Sequence, residues 1–146
     1  MLNFKNKKRQ KLIKEMFISM LKENNVNTPI KIRFRNKALR KGNQSSSNYF
    51  YKRNTGEIIR QSICLDFIAL KNRIKKGFSD YYYTGRKEKL SFVIGNRKKT
   101  LKFILYHELK HVIDCQFFGA VNYSKMKRRK KEILADDFAV DKVKEL

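Results

Sequence analysis

Apolar side chains recur in pairs every four residues near the start of the chain: Leu12 and Ile13, Met16 and Phe17, Met20 and Leu21. That period predicts a basic amphipathic helix over Met1 to Lys22, ended by Asn24-Asn25 and Asn27-Thr28-Pro29. From Ile30 the period changes. Ile30, Ile32 and Phe34 alternate with Lys31, Arg33 and Arg35, as in a half-buried strand with one basic face. Gly42 and Ser45-Ser46-Ser47 mark a loop over Ala38 to Asn48. Tyr49-Phe50-Tyr51 and Glu57 to Asp66 then flank Asn54-Thr55-Gly56 as the arms of a hairpin, the second apolar enough to be a central strand. Lys71 to Lys89 is less regular, with Gly77, Tyr81-Tyr82-Tyr83 and Gly85. Leu90 to Ile94 reads as a short strand before Gly95-Asn96.

Leu101, Ile104, Leu105, Leu109, Val112 and Ile113 next lay a broad apolar arc on a helix that Asn96 can cap and Gly119 closes. Lys110 and Asp114 fall on its polar side. Lys98 and Lys99 oppose the macrodipole in its first turn. Lys125 to Lys131 reads as a basic connection to a last helix beginning near Glu132. The order helix, strands, helix, helix predicts one α+β domain over residues 1–146.

Charge changes the picture of partners, not of fold. The chain holds 36 Lys and Arg against 13 Asp and Glu, a net charge of +23. Such a balance attracts polyanions: nucleic acid, an anionic membrane surface or an acidic protein. No apolar run is long enough to span a bilayer. Lys14, Glu15 and Lys22 interrupt the first helix too often for a signal peptide. A basic amphipathic start can serve as a mitochondrial address or lie on a membrane, but such helices more often pack on their own domain. The expected location is cytoplasmic or virion-associated. Cys64 and Cys115 make no disulfide framework and read as reduced core residues.

Candidate chemistry lies in His107-Glu108-Leu109-Lys110-His111, which contains both histidines of the chain. On a helix, residues four apart differ by about 40° in direction and about 6 Å in height, so both imidazoles can reach one zinc ion. Glu108 points roughly 100° away from the first ligand. From there it can reach a metal-bound water as general base without binding the metal. Catalytic zinc usually takes three protein groups. With no third histidine, a carboxylate or thiolate has to complete the set. Glu132 and Asp136 share a helix face, so Glu132 can bind while Asp136 accepts the free N–H of a ligand histidine. The plainer alternative is an acidic helix start that favours the macrodipole. Cys115 is the minor alternative ligand.

His107-Glu108-x-x-His111 followed by Glu132-x-x-x-Asp136 resembles the gluzincin metallopeptidases, of which thermolysin is the familiar member. Glu132-x-x-Ala135-x-x-Phe138-Ala139 in so short a chain is closer to the compact ImmA/IrrE-type peptidases. The resemblance covers the last third of the chain and departs at Lys110, where many relatives carry a small residue. It implies a zincin-like fold, with zinc on His107, His111 and Glu132 and Glu108 as base. The expected function is therefore a zinc-dependent endopeptidase acting on a protein or peptide, near nucleic acid or another polyanion. In such folds an edge strand can pair with an extended substrate; Leu90–Ile94 is the expected one, and Tyr81 to Tyr83 fit either a cleft lining or a cover for the sheet. The alternative is a basic nucleic-acid- or virion-associated protein that uses a zincin fold for binding or structure. A protease directed at DNA-bound proteins would satisfy both, with SprT-like proteases as a precedent by analogy.

Overall fold

The computed structural model describes residues 4–35, 45–76 and 96–146. Its first helix, α1 (Phe4–Glu23), buries Ile13, Phe17, Met20 and Leu21 against the rest of the chain. This is the self-packing outcome. The helix stops where the paired asparagines predict: Asn25 takes a left-handed φ of 58°, and the Asn24 side-chain amide donates to Met20 O.

Three strands follow, β1 (Ile30–Arg35), β2 (Ser45–Tyr51) and β3 (Ile58–Asp66). Their order is β1-β3-β2, with β3 parallel to β1 and antiparallel to β2. The apolar second hairpin arm is thus the central strand. The first arm is longer than the sequence predicts. Ser45 to Asn48 pair with Leu65 to Ser62 instead of lying in a loop. Serine is a turn-former locally, but here the free edge of β3 recruits it into the ladder.

A second correction concerns α2 (Phe67–Lys76), which occupies the start of the stretch read as irregular. Asp66 ends β3, and its Oδ1 accepts the Ala69 amide hydrogen bond at 3.0 Å, capping the new helix. Phe67 and Leu70 bury beneath it. Tyr81 to Tyr83 and the expected Leu90–Ile94 strand lie outside the described residues.

The motif helix, α3 (Arg97–Phe118), starts and stops as expected. Asn96 Oδ1 accepts from the Lys99 amide at 3.0 Å, and Gly119 follows its last turn with φ 83°. Its burial pattern departs from a simple two-faced helix. Thr100, Glu108, His111 and Asp114 are buried along with Leu105, Leu109 and Val112. The reason is position: α3 touches α1, α2, α4, α5, β2 and β3. Asp114 therefore lies inside, not on a polar side, and is held by Lys110 Nζ at 2.9 Å.

The basic connection is also reorganised. A short helix α4 (Ala120–Lys125) leads through Met126 and Lys127 into α5 (Arg128–Lys144), so Arg128 to Lys131 form the first turn of α5. Glu132 consequently lies in the second turn, beyond the region where the macrodipole favours an acid most. Ala135, Ala139, Val140 and Val143 of α5 are buried. One apolar cluster joins residues of α1, β1, β3, α2, α3 and α5; a smaller one joins Cys115, Ala120 and Tyr123 with Tyr49, Tyr51, Ile58 and Met126. Both cysteines are buried and free. Among the described residues no helix is long and apolar enough to cross a membrane.

Core burial on α3 makes a direct prediction. Leu109 is 0% exposed and Phe117 79% exposed on the same helix. Leu109→Ala should cost roughly 2–5 kcal/mol in urea unfolding, and Phe117→Ala less than about 0.5 kcal/mol. Equal losses would contradict this placement of α3.

Candidate metal centre

α3 and α5 pack together so that one face of each contributes to a single cluster. His107, His111 and Glu132 bring one potential ligand atom each within 4.8 Å of one another, and could hold a metal ion. The two histidine Nε2 atoms stand 3.2 Å apart. Glu132 closes the third corner, with Oε2 3.0 Å from His107 Nε2 and Oε1 3.4 Å from His111 Nε2. Cys115, the alternative ligand, is not in this group. It lies in the smaller apolar cluster, where burial pushes its thiol up to about 11 although Lys131 acts in the opposite sense.

The far nitrogen of each imidazole is held. His107 Nδ1 donates to Asp136 Oδ1 at 2.8 Å, and Asp136 is almost wholly buried. His111 Nδ1 lies 2.8 Å from the Tyr123 hydroxyl of α4. Tyr123 is itself buried; burial first, then the nearby Asp114 and further acidic groups including Glu132, hold its hydroxyl well above the usual range and therefore neutral. A neutral hydroxyl can accept from His111 Nδ1–H. Both rings then direct bare Nε2 lone pairs at the space bounded by the Glu132 carboxylate. In that tautomer two lone pairs and an anion converge at this range, and a proton or a metal ion has to lie between them. A divalent ion that accepts N and O donors fits that set.

Electrostatics in the metal-free protein point the same way. Burial by itself lowers the pKa of His107, but hydrogen bonds to Asp136 and Glu132, with the charges of Glu108 and Asp136, raise it to about 10. Burial also raises Glu132, and this is overridden by hydrogen bonds and charge from His107 and His111, which lower it strongly. A proton thus serves as the minimal cation of the cluster, and metal uptake has to displace it.

Glu108 lies beside this group on the same helix and is 3% exposed. The Ser45 hydroxyl donates to its Oε1 at 2.8 Å, while Oε2 is buried with no hydrogen-bond partner. One oxygen is therefore fixed by β2, and the other has no protein partner. Ser45 and Tyr123 went unseen in the sequence. Ser45 belonged to an apparent loop, and Tyr123 lies in a helix too short to show a period. Neither carries a local signal; both are brought in by packing.

Two outcomes test the cluster. Glu132→Ala should remove most bound metal at neutral pH, while Asp136→Asn should still bind with affinity lower by about 10–100-fold; zinc titration against a chromophoric chelator measures both, and the reverse order would exchange their roles. The second concerns chelator-treated protein. His107 is raised from 6.5 to about 10, so its contribution is complete below about pH 6.5 and is lost as pH rises through about 10. Glu132 is lowered from 4.5, so its contribution is present above about pH 4.5 and lost as pH falls below that. Urea midpoints of the metal-free protein should fall towards both extremes, and His107→Gln should remove the alkaline fall.

No protein-family model, no curated protein and no solved structure matches the chain, so its functional reading rests on the chemistry of this site.

Proposed function

We propose that the chain is a zinc-dependent endopeptidase of gluzincin type, with zinc held by His107, His111 and Glu132. The observation that carries this is the pairing of a three-donor cluster with a buried carboxylate, Glu108, that is not itself one of the donors. A structural metal site usually closes with four protein ligands, whereas a catalytic site leaves a position open. Three donors among the described residues, beside a base, fit the second pattern.

When bound, zinc supplies a Lewis acid that lowers the pKa of water and polarises a peptide carbonyl. The chain's own residues supply the rest. Ser45 holds Oε1 of the Glu108 carboxylate, and Oε2, which has no protein partner, is the oxygen that would take a proton from the attacking water. The same oxygen can then return that proton to the leaving amine. Asp136 and Tyr123 hold the two imidazoles in the tautomer that presents Nε2. Burial of Glu108 excludes bulk water from the base, which strengthens its interactions with the reacting atoms.

A second reading is a basic binding or structural protein in which the same cluster only braces α3 against α5. The net charge of +23 favours it, and a peptidase that works beside a polyanion accommodates both. Glu108 separates them, because bracing needs no buried carboxylate beside the donors, whereas hydrolysis needs a base there.

Glu108→Gln should retain metal and lose peptide hydrolysis by at least about 100-fold. The assay compares new peptide termini generated in a cell lysate by the wild type and the variant, both loaded with zinc. Unchanged turnover would remove the catalytic assignment of Glu108 and leave the second reading.

A further inference from the structure

Strand pairing decides which side chains share the two faces of the sheet. Paired residues point to the same side. Lys31, Ser62 and Asn48 therefore form one row, Arg33, Cys64 and Ser46 the next, and Arg60 and Phe50 a further row at the hairpin end. Arg35 pairs with Asp66 at the opposite end. The other face carries Ile32, Ile63 and Leu65, which join the helices in the main core, and Ser45, which reaches Glu108. Cys64 is buried yet belongs to neither apolar cluster, as its place on the second face requires.

The exposed side chains of that second face are cationic with one aromatic among them. Lys31, Arg33, Arg35 and Arg60 are exposed, and Phe50 is 49% exposed. None of the four cations is ion-paired with a carboxylate among the described residues. The acid on this face, Asp66, is 1% exposed and caps α2 through Oδ1. The Arg60 guanidinium lies 4.3 Å from the Phe50 ring centroid.

Geometry narrows the partner. Alternate residues of a strand are about 6.8 Å apart, so Lys31, Arg33 and Arg35 form a line of cations spaced much like successive phosphates of an extended strand. β2 lies about 10 Å away, two strand spacings across the sheet. Between them Ser62 and Cys64 of β3 are each only 7% exposed, so an extended chain on this face would touch the flanking cations of β1 and the Phe50–Arg60 pair, not the central strand. A half-exposed aromatic ring beside a guanidinium is of use only to bases whose faces are open. In a duplex those faces are closed by stacking, and among the described residues this flat face projects no helix or ribbon into a groove.

We propose that this face of the sheet binds single-stranded nucleic acid, with Lys31, Arg33 and Arg35 tracking phosphates and the Phe50–Arg60 pair stacking on a base. It deepens the polyanion part of the proposed function and rests on neither metal nor Glu108, which lie on the other side of the sheet. Binding here would place the candidate metal centre near whatever protein the nucleic acid carries.

The test is fluorescence anisotropy of the full chain with labelled oligo-dT and with a duplex of equal length, over a salt series. Because the whole chain is basic, the decisive comparison is between variants with the same change in net charge. Arg33→Glu with Arg60→Glu should weaken oligo-dT binding at least tenfold, whereas Lys8→Glu with Lys11→Glu on exposed positions of α1 should weaken it about threefold or less. Phe50→Ala should weaken single-strand binding about tenfold and leave duplex binding unchanged. Zinc stoichiometry and far-UV circular dichroism report the fold of each variant. Equal losses for the two charge pairs would overturn the proposal in favour of diffuse attraction. Competition by polyglutamate as strong as by oligo-dT would overturn it in favour of an acidic protein. Indifference of single-strand binding to Phe50→Ala would remove the stacking that defines it. Glu108→Gln should bind oligo-dT like the wild type, so failure of the peptidase and failure of this surface are read apart.

Discussion

Two imidazoles with their Nε2 atoms 3.2 Å apart cannot be left uncompensated inside a protein. Each ring needs its outer nitrogen satisfied, and the two inner nitrogens need a proton or a metal ion between them. That constraint organises the C-terminal half of this chain. Asp136 satisfies His107, Tyr123 satisfies His111, and Glu132 bounds the space between the rings. Meeting it requires α5 to cross α3 with one particular face inward, and α4 to turn the chain so that Tyr123 arrives from a third direction. The small residues Ala135 and Ala139, both fully buried, allow that approach of α5 while Val140 and Val143 supply the apolar contact.

Further polar groups are buried around α3, and they are handled individually. Lys110 neutralises Asp114, Gln61 donates to Val112 O, and Gln116 donates to Gln61. Two carboxylates are held on one oxygen only: Ser45 holds Glu108 Oε1 and Lys110 holds Asp114 Oδ1, while Glu108 Oε2 and Asp114 Oδ2 have no partner, and Glu108 is the one whose charge acts on His107. An incompletely satisfied buried carboxylate costs stability. Its persistence next to a three-donor cluster is what makes a base the natural role for it in the proposed peptidase. The sheet separates this chemistry from the basic face formed by β1, Phe50 and Arg60, so the two proposed activities use different sides of the same three strands.

Local sequence determined a good deal here. Paired apolar residues marked α1, alternation marked β1, and Asn96 and Gly119 bounded α3, because each of these signals acts over a few residues along the backbone. His107, His111 and Glu108 were legible for the same reason: helical spacing alone sets their relative directions. Glu132 and Asp136 were legible as a pair sharing one face of their helix. What only the tertiary structure decided is where those faces meet. It drew Ser45 from an apparent loop into β2 and onto Glu108, began α5 a turn early, and buried Asp114 by surrounding α3 with neighbours on nearly every side. Hydrophobic period reports one face at a time, and a helix enclosed on several sides has no polar face to report. Tyr123 meets His111 through the turn at Gly119, a relation between elements that no spacing along the chain encodes.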